Sequence, residues 1–179
     1  MDQSEEFINV VEGFKQHNNS IGRGKGIITI YKEDFKFNND VTKPNYQMTK
    51  IISVNMDIIN VYRSSSAENL AFINDLCELL DSKKHTLILG DFNICFLKEN
   101  NNKVFTTLRR LGFKQLVERP SHILGGLIDL VFCYCPEVDV PYDVKQTAQY
   151  YLDHDLISIS GKITLLITII LFSESQHED

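Results

Sequence analysis

Apolar residues recur along this chain at two spacings, and the switch between them predicts alternating strands and helices. A β-branched run over residues 26–31 reads as a strand, and residues 51–54 and 58–62 read as a hairpin turning around Asn55 and Met56. Leu70, Ile73, Cys77 and Leu80 then recur at helical spacing and predict a helix whose apolar stripe faces a sheet. It is expected to start near Ser65, whose hydroxyl caps it while Glu68 completes a capping box. A short apolar strand over 86–89 follows. Beyond a polar loop at 98–103, a second helix carries Val104, Phe105, Leu108 and Leu111 and stops at Gly112. Strands near 113–117, 127–133 and 156–160 complete the set. This order predicts an α/β sandwich: two packed sheets with helices on the outer faces and functional groups gathered at one rim.

The polar residues that interrupt this pattern carry the chemistry. Leu87-Ile88-Leu89 runs straight into Gly90-Asp91-Phe92-Asn93, where glycine lets the backbone turn and two oxygen-bearing side chains follow one residue apart. Such a pair suits a hard cation such as Mg²⁺, or a water about to attack phosphorus. Asp129 stands inside the apolar run 127–133, where an unpartnered buried carboxylate costs several kcal/mol. His154, preceded by Asp153 at the start of the next apolar run, is its natural partner, because an imidazole acting on phosphate is usually oriented by a carboxylate. Each motif alone reads more readily as structural; the set, in this order, reads as a site.

Gly90-Asp91-Phe92-Asn93, then Ile128-Asp129-Leu130-Val131, then Asp153-His154 resemble the endonuclease/exonuclease/phosphatase superfamily, which includes apurinic endonucleases and the endonuclease domains of mobile elements. Asn60-Val61-Tyr62-Arg63 resembles that family's strand-end tyrosine. The Gly-rich start of the strand ending in Tyr31, and Arg119-Pro120-Ser121-His122 ahead of Gly125-Gly126, resemble its mobile-element branch. The likeness covers about residues 13–161. It implies a four-layer α/β/β/α sandwich, a nucleic-acid substrate (DNA in the first instance) and a Mg²⁺ or Mn²⁺ cofactor. By the same likeness Asp91 activates or positions the attacking water, and Asn93 holds the phosphate or that water. Asp153, with Asp91, binds the cation. His154 contacts the scissile phosphate with Asp129 behind it, and Tyr62 donates to a phosphate oxygen.

One part of the family pattern is missing. Its members begin with a strand carrying an asparagine and a second strand ending in a metal-binding glutamate. Glu5, Glu6 and Glu12 follow no apolar strand and do not match it. The expectation is a sandwich lacking its first strands, incomplete at the N-terminus, weak or inactive as an enzyme, and poorly soluble through an exposed sheet edge. Three functions stay open. They are a metal-dependent endonuclease domain of a retrotransposon or Helitron-type helicase element, a non-catalytic remnant or binding module, and a phosphatase or phosphodiesterase acting on a small phosphoester.

Composition narrows this only slightly. A chain of 179 residues, 43% hydrophobic and 23% charged, suits one globular unit, taken as a domain over 1–161 and an apolar strand or tail over 162–179. The apolar run 163–172 falls short of the ~20 residues a membrane span needs. No membrane and no obligate protein partner are expected. The net charge of −6 argues against a generic basic nucleic-acid surface, leaving local clusters at Arg23/Lys25, Lys83/Lys84 and Arg109/Arg110/Lys114. Cys77, Cys95, Cys133 and Cys135 show no zinc spacing and read as reduced thiols of a nuclear or cytoplasmic protein. The Gly22-x-Gly24-x-Gly26 stretch reads as a hairpin loop rather than a phosphate loop, since a strand follows it. His122 reads as a turn histidine or a substrate contact, and Asp155 as solvent-facing.

Overall fold

A computed structural model of the chain describes residues 12–22, 25–81, 84–136, 142–149, 152–161 and 167–169. Glu5, Glu6, Arg23, Lys83 and most of the apolar C-terminal run lie outside the described residues. In chain order the elements are β1 (Phe14–Gly22), β2 (Lys25–Lys32), β3 (Lys36–Lys43), β4 (Tyr46–Ile52), β5 (Met56–Arg63), α1 (Asn69–Leu79), β6 (His85–Asp91), α2 (Lys103–Arg110), β7 (Lys114–Gln115), β8 (Asp129–Tyr134), β9 (Tyr142–Thr147), β10 (Leu156–Gly161) and β11 (Ile167–Ile169).

Six strands form one mixed sheet in the order β3-β4-β5-β6-β8-β7. Only β5 and β6 pair in parallel, because α1 carries the chain back across the sheet between them. Alternation along each strand divides the side chains between two faces. On one face Tyr46, Phe72, Phe92, Phe105 and Phe132 form a chain of ring contacts with centroids 5.4–6.3 Å apart, which docks both helices; each such pair adds about 0.5–1.5 kcal/mol beyond its buried area. The other face meets the hairpin β1-β2 and the sheet β11-β10-β9. There Asn60 donates to Thr29 Oγ1, Asn19 donates to the Met48 carbonyl, and Ile157 and Ile159 are buried. This is the predicted α/β sandwich of sheets and helices. Both described helices cover the outer face of the six-stranded sheet, so the described residues build an α/β/β arrangement.

The sequence pattern missed β1, β3 and β9, and it started β4 too late. These strands read FKQHNNSIG, KFNNDVTK and YDVKQT. They are edge or half-exposed strands held by backbone pairing, so hydrophobic alternation marks them weakly. The β1–β2 pairing makes the glycine stretch a hairpin connection, as expected. Helix α1 starts later than predicted. Glu68, not Ser65, is its N-cap, and its carboxylate accepts from the amides of Leu70 and Ala71. The buried stripe is Phe72, Ile73, Leu76 and Leu79, while Leu70 is exposed. Helix α2 buries Val104, Phe105 and Leu108 and turns off at Gly112, as the spacing predicts. Among the described residues no helix is long and apolar enough to cross a membrane.

Candidate active site

Strand β6 delivers Asp91 to the rim of the six-stranded sheet. Gly90 is the reason it can. The residue has φ +137° and lies against β5 so tightly that a Cβ would sit 1.9 Å from the Val61 carbonyl oxygen. Glycine here permits a close strand approach, and the turn itself comes later, at Asn93, whose φ of 47° is in the left-handed region. In that conformation Asn93 folds back. Its backbone amide donates to Asp91 Oδ1 at 2.8 Å and its side-chain amide to Oδ2 at 2.9 Å. Asn93 therefore braces Asp91 rather than standing beside it as a parallel ligand. Phe92, between them, is fully buried on the helix face, and its carbonyl accepts from the buried Arg63 guanidinium.

Asp129 opens β8 rather than standing in mid-strand, and it pairs across the sheet with Asp91. Buried Ser121 fixes that start, its Oγ accepting from the amides of Asp129 (3.0 Å) and Ile128 (3.3 Å). Asp129 Oδ2 lies 2.9 Å from His154 Nδ1, while Asp129 Oδ1 is buried without a hydrogen-bond partner. The segment carrying His154 is stitched to the 121–126 loop. Asp155 N donates to the Ser121 carbonyl, Ile123 N donates to the Asp153 carbonyl, and His122 and His154 form an antiparallel bridge. The His122 ring meets the His154 ring edge-on at 4.8 Å. Asp153 stands 4.0 Å from His154 Nε2 and 3.9 Å from His122 Nε2.

The register aligns a row of polar residues across four neighbouring strands. Gln47 pairs with Tyr62, Tyr62 with Asp91, and Asp91 with Asp129. Paired residues share a face, so all four side chains leave the sheet on the side of the second layer. Burial, then the negative charge of Asp129, push the Asp91 carboxyl up to about 7, against the Asn93 amide and His154, which favour ionisation. Burial disfavours the His154 cation, but the Asp129 hydrogen bond and the charges of Asp129, Asp91 and Asp153 outweigh it and raise His154. Burial and Asp91 raise Tyr62 as well.

No protein-family model matches the chain, and no curated protein does. Solved structures do. The endonuclease domain of TRAS1, a telomere-specific non-LTR retrotransposon, superposes with a TM-score of 0.60 at 17% identity over 90% of this chain and 80% of its own. An endonuclease/exonuclease/phosphatase family protein from Leptotrichia buccalis gives 0.55 at 12% identity over 87% and 74%. The human Nocturnin catalytic domain gives 0.54 at 11% identity over 82% and 71%. The chain has the endonuclease/exonuclease/phosphatase fold.

In this fold the chain brings Asp91, Asp129 and His154 together. Ligand atoms of these three lie within 4.8 Å of one another, and those of His122, Asp153 and His154 form a second such group sharing His154. A divalent cation, which the likeness implies, fits this donor set. Hard oxygens dominate it, Asp129 keeps an orphaned buried oxygen, and two buried carboxylates face each other. No glutamate joins either group among the described residues, and Glu12 is exposed in the turn before β1. Tyr62 is half-buried beside Asp91, and Asn93 sits at the same rim. Sequence reasoning missed Ser121 and Gln47 and left His122 open. Their signals, a small polar residue in a turn and a glutamine starting a strand, acquire meaning only through register. Asp155 does not face solvent. It is half-buried, and its carboxylate accepts from Gln146 of β9 at 2.8 Å, so its work is to tie the loop to the second layer.

Proposed function

We propose that this chain hydrolyses phosphodiester bonds of nucleic acid, DNA in the first instance, with Mg²⁺ or Mn²⁺ as cofactor, as a mobile-element endonuclease domain working in the nucleus or cytoplasm. The observation that carries this reading is the shared cluster of Asp91, Asp129 and His154, with His154 Nδ1 occupied by Asp129. That bond leaves Nε2 as the working nitrogen of the ring. Asp91 activates or positions the attacking water, its carboxylate held in place by both amides of Asn93. Asn93 holds Asp91 still and offers the rest of its amide to the phosphate or the water. His154 faces the scissile phosphate and balances its developing charge, while Asp129 fixes the ring. Tyr62 donates to a phosphate oxygen. Asp153 and Asp91 would hold the cation, which supplies charge neutralisation at the phosphoryl oxygens when bound.

A second reading, binding without cleavage, is favoured by one observation: among the described residues neither three-residue donor group contains a glutamate. Incubating the purified chain with supercoiled plasmid, an abasic-site duplex and inositol phosphates in Mg²⁺ or Mn²⁺ separates the readings. Cleavage of DNA that His154→Ala abolishes supports the nuclease. Turnover of the inositol phosphates alone moves the substrate to a small phosphoester, and DNA binding without cleavage by the wild type favours the binding module.

A further inference from the structure

His122 belongs to none of the roles above, yet its imidazole stands at the same rim. Its backbone is fixed on both sides. His122 N donates to the Gly126 carbonyl, Gly125 N donates back to the His122 carbonyl, and the bridge to His154 holds the strand direction. The ring is equally constrained. The amide of Leu124 donates to His122 Nδ1 at 3.1 Å, and a backbone N–H cannot donate to a nitrogen that already carries a proton. The ring is thereby held in the tautomer with its proton on Nε2.

That Nε2–H points toward the chemistry. It lies 3.9 Å from Asp153 Oδ2, too long for a hydrogen bond to be already spent there, and the ring touches His154 edge-on. The side chain is 18% exposed, so a ligand can reach it, whereas the side chain of His154 is 8% exposed. A metal-ligand role for the same nitrogen would require its lone pair, hence a proton on Nδ1, facing the Leu124 amide. The backbone argues against that arrangement.

Resting on the phosphodiesterase reading, we infer that His122 is a substrate-binding residue: its Nε2–H donates to a non-bridging oxygen of the substrate phosphate beside His154. The nearby negative groups, Asp153, Asp129 and Asp91, make such a donor useful, because a phosphate entering this rim meets repulsion that a fixed N–H partly offsets.

The chemistry of two near-isosteres provides the test. Glutamine extends an amide N–H to about the reach of Nε2, while asparagine places an amide oxygen near Nδ1, keeping the Leu124 hydrogen bond and losing the donor. Binding of deoxythymidine 3′,5′-bisphosphate to the full chain is measured by calorimetry with Mn²⁺ present, alongside plasmid cleavage and thermal melting of the same samples. The expected result is that His122→Asn melts like the wild type and binds at least about tenfold more weakly, the scale of one hydrogen bond to a charged group, while His122→Gln stays within about threefold. Wild-type affinity in both variants, equal weakening of both, or weakening by glutamine alone overturns the inference. A wild type that ignores the bisphosphate overturns it too. A wild type that binds through His122 but leaves plasmid uncut defeats only the catalytic reading beneath it.

Discussion

The six-stranded sheet buries carboxylates at both ends and treats them in opposite ways. At the start of β5, Asp57 is almost fully buried and bracketed by two cations, Lys50 Nζ at 2.8 Å and Lys84 Nζ at 3.3 Å. Lys50 also donates to the Leu79 carbonyl, closing the C-terminal end of α1. At the far end of the same strands, Asp91 and Asp129 face each other, and among the described residues no lysine or arginine forms an ion pair with either. The histidines divide likewise. His85, beside Tyr142 and Cys133, is held below its ordinary range by burial, whereas His154 is raised by its acidic neighbours. One end is charge-balanced and holds the layers together. The other sets two carboxylates against each other with one imidazole to answer them, so Asp91 keeps its proton up to about 7, a place that a bound cation can take. Burial alone does not distinguish a site from a structural pin; the balance of charge does.

The largest effect expected is at the rim. Asp91→Ala or His154→Ala should lower plasmid cleavage by about a thousandfold, while Asp57→Ala should leave the chemistry of the surviving folded fraction unchanged. Stability should show the reverse. Asp57→Ala strands the buried ammonium of Lys50 and should cost about 3–5 kcal/mol in chemical denaturation. Asp91→Asn relieves like-charge repulsion, keeps an oxygen for the Asn93 amide, and should stabilise the metal-free chain by about 1–3 kcal/mol at pH 8. Equal destabilisation by both substitutions would erase the distinction between the two ends. Gly90→Ala tests the scaffold between them. With its Cβ directed onto the Val61 carbonyl, it should cost about 3 kcal/mol or more and remove activity together with fold, visible as a lost thermal transition.

How much of this contrast was legible beforehand follows the same division. Asp129 interrupts an apolar run, so its cost if buried alone is visible in sequence and its pairing with His154 follows from it, while Asp91 and His154 stand where apolar runs end and begin. The lysine bracket at Asp57 was not visible. Lys50 looks like any charged residue at the end of a strand until the β4–β5 register sets it opposite Ile59 on the helix face. Ser121 and Gln47 were hidden for the same reason, since a loop serine matters only when two amides converge on its hydroxyl. The strands β1, β3 and β9 escaped because exposed edges need no hydrophobic code, and the stripe of α1 was misassigned because Leu70 satisfies the spacing without meeting the sheet. Gly90 was recognised, but for a turn; the need it serves is contact between two backbones.

The subtlest test of the two-ended sheet is the pH dependence of stability without metal. Asp91 and His154 both titrate above their unfolded values, so the folded rim binds protons more tightly than the unfolded chain. Their contribution is present at low pH and is lost as pH rises through their folded values, around 7 for Asp91. His85 carries the opposite sign. Its folded value is depressed, so its contribution is complete above about 6.5, the unfolded value, and is lost as pH falls below it. The melting temperature of the metal-free chain should therefore rise by a few degrees, about 1 kcal/mol, from pH 8 to 6.5, and flatten below that as His85 begins to oppose the rim. Asp91→Asn should remove most of the rise and expose the decline due to His85. Saturating Mn²⁺ should also remove the rise, because a cation held by Asp91 and Asp153 takes the place of the proton on Asp91. A rise of equal size in Asp91→Asn would assign the proton uptake elsewhere and leave the rim carboxylates no more unbalanced than Asp57.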